Sequence, residues 1–259
     1  MLSTRVALGV VALLVASDAP PIEWSEPVLA VADAPNARLS VDSAGHTSFV
    51  TPTPISVTPP TAAGLCAASL RVVPAPAHVF AAWWSVRPDS SAVLYAASSA
   101  DSARSWQAPV AVDTSDVSSR GCSRPPPSLA TVGDDLQLAY SMIAPEGTGV
   151  FFAHFMGSML HSPVSVIYGE RLVATAIAAQ GDRVAVAYEE PNGTRQQIDV
   201  AVSATQGHLF EVHTTASRSV DEAETPAVAL AGHSVAVAWT TQRTPGGQSS
   251  RVVRVGRLR

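Results

Sequence analysis

The sequence contains no lysine: its sixteen basic residues are all arginine, set against twenty-one acidic residues for a net charge of −5. That balance leaves no basic footprint, so a nucleic-acid partner is not expected. Charge of either sign is scarce, at 14% of residues, while apolar residues make up 47%, which excludes a disordered chain and supplies a large core. Only two cysteines occur, Cys66 and Cys122, and no histidine cluster stands beside them, so the close-paired four-ligand pattern of a zinc site is missing and no metal site is predicted. Gly-x-Ser-x-Gly, His-Glu-x-x-His, phosphate-loop and dinucleotide fingerprints are also absent, and no cofactor is expected. The lysine-free, Ala-, Val-, Pro- and Arg-rich usage points to a GC-rich, bacterial source rather than to a mechanism.

The N-terminus does carry a signal. Arg5 precedes an apolar run from Val6 to Ala16, followed by small residues before Pro20 and Pro21, which is the pattern of a secretory leader over residues 1–19. Eleven apolar residues are few for a membrane span, and no cysteine follows for lipidation, so a secreted or periplasmic domain over 20–259 with no stable membrane span after cleavage is predicted. In an oxidising compartment Cys66 and Cys122 can form a disulfide, with two buried free thiols as the alternative.

The main signal is an internal repeat. Gly133-Asp134-Asp135 precedes the alternating run Leu136 to Tyr140, Gly181-Asp182-Arg183 precedes Val184 to Tyr188, and Gly232-His233-Ser234 precedes Val235 to Trp239, at spacings of 48 and 51 residues. Weaker copies begin at Gly45 and Pro76. An apolar residue four positions before each turn (Val41, Val72, Leu129, Ile177, Val228) completes a strand, tight turn and strand. His46 and His233 fall at the turn position, where Asp also occurs, and the other histidines are scattered along the chain.

An outer strand follows downstream in three units, at Trp106–Val112, Leu160–Val166 and Phe210–Ala216. Its pattern recurs once more at Trp24–Val31, while the final unit, from about Pro226, has room for only three strands. The N-terminal strand can therefore complete the last unit and hide its edge. Four-stranded units of about fifty residues closed in this way predict an all-β propeller of about five blades, with six as the alternative. The first unit, Ala37–Pro60, is short for four strands.

Ser99-Ala100-Asp101-Ser102-Ala103-Arg104-Ser105-Trp106 resembles the Asp-box, Ser-x-Asp-x-Gly-x-x-Trp, of the sialidase-like (BNR-repeat) β-propeller superfamily, with Ala103 in the place of Gly. Ser203-Ala204-Thr205-Gln206-Gly207-His208-Leu209-Phe210 repeats it with Gly207 kept, Thr205 for Asp and Phe210 for Trp. The resemblance implies a structural role for Ser99, Asp101, Trp106, Ser203, Gly207 and Phe210, on the face opposite the active site. It also implies what a sialidase site needs: three arginines on the substrate carboxylate, a tyrosine nucleophile helped by a glutamate, and an aspartate as acid and base.

The loop face receives Arg87, Glu189 and Glu190 beside Tyr188, together with Arg124 and Arg171 in the connections between units. Arg124, Arg171, Arg87 and Glu189 are the candidate ligand-binding residues, and Tyr188 with Glu190 the candidate catalytic pair. Against catalysis, the family's Arg-Ile-Pro motif is missing, Ala37-Arg38-Leu39-Ser40 being the nearest match, and aromatics at the positions of Tyr188 recur in other units as Tyr140 and Trp239. The expectation is a non-catalytic module binding a glycan or protein ligand, with a divergent exo-sialidase as the alternative.

Overall fold

The structure, a computed structural model, describes residues 21–30, 37–192, 195–219, 222–242 and 249–259. The leader predicted over residues 1–19 lies outside them. Among the described residues, twenty strands and one short 3₁₀ turn make up the regular structure, and no helix is long and apolar enough to cross a membrane.

The strands form five sheets. β1 (Ile22–Trp24) and β2 (Val28–Ala30) are the N-terminal pieces. β3 (Arg38–Val41) and β4 (Thr47–Val50) make a two-stranded first sheet. β5 (Arg71–Pro74), β6 (Val79–Val86), β7 (Ala92–Ser99) and β8 (Val110–Asp113) make the second. The third holds β9 (Ser128–Val132), β10 (Asp135–Ala144) and β11 (Gly147–Met156), edged by β12 (Met159–Leu160) and β13 (Val164–Tyr168). The fourth is β14 (Thr175–Gln180), β15 (Arg183–Asn192), β16 (Arg195–Ser203) and β17 (Val212–Thr215). The fifth is β18 (Ala223–Ala231), β19 (Ser234–Gln242) and β20 (Ser249–Leu258). Within each sheet the pairing is antiparallel between consecutive strands, as short turns require. Gly133, Gly181 and Gly232 all stand at φ between +56° and +58° in the turn that joins the first two strands.

The N-terminal strands complete the fifth sheet. Ile22 to Trp24 pair with Leu258 to Gly256, and Val28 to Ala30 with Val253 to Arg251, so the free edge of β20 is covered from the other end of the chain. The first sheet has no third or fourth strand among the described residues. Its continuation, residues 51–64, runs without a strand to the second sheet, where Thr58 N–H donates to Ala103 O at 3.1 Å and Leu65 bridges Ser85.

The second strands of the second to fifth sheets are buried on both faces, whereas β4 is not. β6 reads Val-Phe-Ala-Ala-Trp-Trp-Ser, buried throughout, with Trp83 and Trp84 both inaccessible. That double burial arises because the third, fourth and fifth sheets each pack between two others, while the second packs between the third and the strandless segment. One core cluster lies between the second and third sheets (Trp84, Leu94, Tyr140, Phe151), one between the third and fourth (Phe152, Val186, Phe210) and one between the fourth and fifth (Val200, Val237, Trp239). A fourth joins the fifth sheet to the first (Ala236, Val253, Leu39), and a fifth covers the remaining face of the second sheet with Ala62 and Leu65. Alternating Val and Ala in Val184-Ala185-Val186-Ala187 let neighbouring sheets approach on both sides at native packing density.

Candidate functional site

The first strands of the sheets point the same way round one cavity. Ser128 Oγ meets Thr175 Oγ1 at 3.0 Å, joining the starts of β9 and β14, and Thr131 Oγ1 donates to Pro74 O at 3.2 Å, joining the ends of β9 and β5. Gly232 N–H donates to Gln180 Oε1 at 2.6 Å where β18 and β14 end, and Ser234 Oγ reaches Ser43 O at 3.3 Å beyond the end of β3. β3, β5, β9, β14 and β18 together line a cavity of about 670 Å³. Its lining is Ala, Val, Leu, Ile, Pro, Ser and Thr with two exceptions, Arg38 and Arg71. Each is the first residue of a four-residue innermost strand, which puts both at the same end of the cavity. Arg71 is held there by Nη1 donating to the carbonyls of Leu70 at 2.8 Å and Ala68 at 3.1 Å, and partial burial lowers its pKa. Among the described residues no acidic side chain lines the cavity, while Glu189 accepts from the N–H groups of Ala174 and Thr225 in its wall.

The residues expected to bind ligand are mostly spent on the protein itself. The Arg124 guanidinium pairs with Asp116, both side chains 1% exposed, and also donates to Gly121 O, to Ser118 O at 3.1 Å and to Ser118 Oγ at 2.8 Å. Asp116 in turn accepts from Ala92 N–H at 2.9 Å. Arg87 donates to Ser91 Oγ at 3.2 Å and Thr114 O at 3.0 Å. Glu189 ties three strands together, accepting from Gln196 Nε2 at 3.0 Å, Ala174 N–H at 3.4 Å and Thr225 N–H at 2.9 Å. Arg171 stays exposed, where its charge acts on Glu190. Cys66 and Cys122 are joined by a disulfide, with Cα atoms 5.4 Å apart, beside the Arg124 pair.

Tyr188 lies in register with Asp199 across β15 and β16, and Glu190, two positions on, shares its strand face. Burial, then Asp199, then Glu190 push the Tyr188 hydroxyl pKa up. Burial also raises Glu190 and Asp199, Asp199 adding to the rise at Glu190. All three shifts favour the protonated forms, and a raised tyrosine pKa is the reverse of what a nucleophilic tyrosinate needs.

The two box-like turns share one geometry. Ser99 Oγ accepts from Ala103 N–H at 2.9 Å, and Ser203 Oγ from Gly207 N–H at 3.0 Å. Asp101 Oδ1 accepts from Ser105 N–H at 2.9 Å where Thr205 Oγ1 accepts from Leu209 N–H at 3.1 Å. Ser102 and Ala103, like Gln206 and Gly207, have positive φ. Trp106 Nε1 donates to Thr58 O at 2.6 Å, anchoring the strandless segment, while Phe210 packs edge-on against Phe152 at 5.6 Å.

Sequence reading missed two features. Arg71 carries no motif, and its signal is positional equivalence with Arg38 at the start of an innermost strand. The histidines are not all scattered: His154, His161 and His208 converge, with one ligand atom from each within 4.8 Å of the others. The hairpin β11–β12, paired at Phe155–Leu160 and Met156–Met159, sets His161 across from His154, which the sequence spacing could have revealed. His208 arrives only through the packing of the fourth sheet on the third.

No family model matches the chain, and no curated protein matches it in sequence. Among solved structures the chain is similar to a Trypanosoma rangeli sialidase in complex with 2,3-difluorosialic acid, with a TM-score of 0.49 and 13% identity over 91% of this chain and 40% of that one. It is similar also to a thermostable family-43 glycoside hydrolase, with a TM-score of 0.44 and 12% identity over 73% of this chain and 70% of that one. A protein of unknown function from Dyadobacter fermentans DSM 18053 gives a TM-score of 0.44 and 11% identity, covering 93% of this chain and all of that one.

Proposed function

We propose that the chain is an exported, five-bladed β-propeller of the sialidase-like kind that does not catalyse, and that it binds a carboxylate-bearing glycan at the Arg38 and Arg71 end of its central cavity. The five-sheet order, the covering of β20 by β1 and β2, and the matching turns at Ser99–Trp106 and Ser203–Phe210, read as degenerate Asp-boxes, support the architecture. The leader over residues 1–19 and the Cys66–Cys122 disulfide support export of a single domain.

The observation that carries the binding reading is the cavity of about 670 Å³ whose only charged lining residues, among those described, are two arginines at one end. Guanidinium groups suit a carboxylate because their planar fork donates in pairs, and the neutral hydroxyl and aliphatic wall suits the body of a sugar. The expected arginine clamp does not assemble, since Arg124 and Arg87 donate within the protein. The hydrolase reading rests on the Tyr188, Glu190 and Asp199 group, near enough to Arg171 for its charge to be felt.

Two measurements separate the readings. Calorimetric titration of residues 21–259 with sialyllactose and with neutral lactose is expected to give saturable binding of the acidic sugar alone, weakened about tenfold or more by Arg38→Ala with Arg71→Ala. Hydrolysis of a fluorogenic sialoside is expected to be absent. Turnover that Tyr188→Phe abolishes would replace binding with a glycosidase.

A further inference from the structure

The histidine group at the boundary of the third and fourth sheets lies on the turn side of the molecule, away from Arg38 and Arg71, and no step of the proposed binding uses it. His154 is on β11, His161 follows β12, and His208 sits inside the Ser203–Phe210 turn. The His154 and His161 rings stack with centroids 4.4 Å apart, and His208 meets His154 edge-on at 5.0 Å and His161 at 5.5 Å.

Each ring is delivered by a different constraint. His161 N–H donates to His154 O at 3.0 Å, which locks the two opposite each other on the hairpin. His208 is set by its turn, where Ser203 Oγ accepts from Thr205 N–H at 3.1 Å and Gly207 N–H at 3.0 Å, and where Gly207 lies flat on the Phe152 ring, two residues from His154. The rings therefore converge because the backbone brings them together, and three imidazoles in mutual contact have no charge complement of their own. Asp135, the nearest acid felt by His154, already accepts from Gly157 N–H at 2.6 Å.

One atom marks the group as unfinished. His154 is only 3% exposed, and its Nε2 is shut off from solvent without a hydrogen-bond partner. Buried polar atoms in native proteins are almost always satisfied, by protein, water or an ion. Here the neighbours are two more imidazoles, the ligand type that divalent zinc, cobalt, nickel and copper prefer and that calcium and magnesium, which take oxygen, do not.

We propose that His154, His161 and His208 form a three-histidine site for a divalent transition cation of the zinc class, which pins the fourth sheet to the third. Ligand atoms 4.8 Å apart or less must close to roughly 3.3 Å for nitrogens about 2.05 Å from a tetrahedral zinc. The fixed, buried His154 serves as the anchor, and half-buried His161 and exposed His208 have the freedom to swing in. Three protein ligands leave a fourth position open toward solvent on the His208 side, for water or an external ligand.

The test uses the tag-free domain stripped with a chelator. Zn²⁺ titrated by calorimetry is expected to bind at one equivalent with micromolar or tighter affinity, and Co²⁺ to give the visible absorption of tetrahedral nitrogen ligation. His161→Ala with His208→Ala changes only accessible side chains, so it should keep the fold by circular dichroism while weakening Zn²⁺ at least about tenfold. The thermal midpoint should rise with Zn²⁺ in the parent, stay put in that variant, and ignore Ca²⁺ and Mg²⁺. Unchanged Zn²⁺ affinity in the folded variant, absence of binding to the folded parent, or equal response to Ca²⁺ would each overturn the site.

Discussion

Arg124 and Asp116 form an ion pair with both side chains 1% exposed, in the connection between the second and third sheets. The pair is braced by Ser118 Oγ, which meets an Asp116 oxygen at 3.0 Å, and the Arg124 guanidinium lies 5.9 Å from the Trp84 ring. Burying two charges is tolerable only when each is paired and hydrogen-bonded, and removing one partner strands the other in a poorly solvated site. Arg124→Ala is therefore expected to lower unfolding free energy by about 3 to 5 kcal/mol. Urea denaturation checks this. A variant as stable as the parent would return Arg124 to the list of free, ligand-facing arginines.

The Cys66–Cys122 disulfide closes a loop of 56 residues, which includes the whole second sheet. Loop-closure entropy puts its contribution at about 4 kcal/mol. Cys66→Ala with Cys122→Ala should lower the urea midpoint by a corresponding amount, and reductant should shift the parent in the same direction while leaving that variant unmoved.

Gly207 and Ala103 occupy equivalent places, both with positive φ, so backbone conformation alone does not demand glycine. At Gly207 a Cβ would run into the Phe152 ring. Gly207→Ala is expected to cost about 1 to 3 kcal/mol through overpacking. Phe152→Leu in the same chain should recover part of that cost. Equal losses in the two backgrounds would show that strain at φ, rather than the ring, is responsible.

Removal of residues 1–30 uncovers β20 and exposes the contacts of Ile22, which is 1% exposed, at the edge of the fifth sheet. An open edge with apolar contacts invites pairing with a second chain. Light scattering after size exclusion is expected to show dimers or larger species for the truncated domain and none for residues 21–259.

Burial, followed by His161 and His208, lowers the pKa of His154 to about 4, with Asp135 opposing weakly. The folded value lies below the unfolded value near 6.5, so the unfolded state binds the proton more readily. The metal-free protein should keep its full stability above about pH 6.5 and lose this contribution as pH falls toward 4. Proton NMR titration of the His154 ring, with denaturation at each pH in chelator, measures both sides of that linkage. A His154 pKa near 6.5 would contradict it.

The repeat was legible because strand, turn and strand leave local marks. Gly133, Gly181 and Gly232 with the apolar alternation after them predict β9–β10, β14–β15 and β18–β19, and the outer-strand pattern at Trp24–Val31 predicts the covering of β20. The shortness of the first unit is equally visible, and it has two strands, β3 and β4. The site was not legible in the same way. Arg124, Arg87 and Glu189 read as loop charges by position, yet their partners, at Asp116, Thr114 and Thr225, are chosen by how connections fold over one another.

By itself the sequence determined what depends on neighbours along the chain: the all-β repeat, the turns, the two cysteines and the chain-end strand that finishes the last sheet. Periodicity and turn chemistry act over a few residues and so can be read in order. Only the tertiary structure decided which charges are spent and which are free, because His154 and His208, 54 residues apart, meet through sheet packing, and Arg38 and Arg71 share a cavity end through the direction of two separate strands. Side-chain chemistry at a site is set by burial and by partners distant in sequence, and neither is written in local pattern.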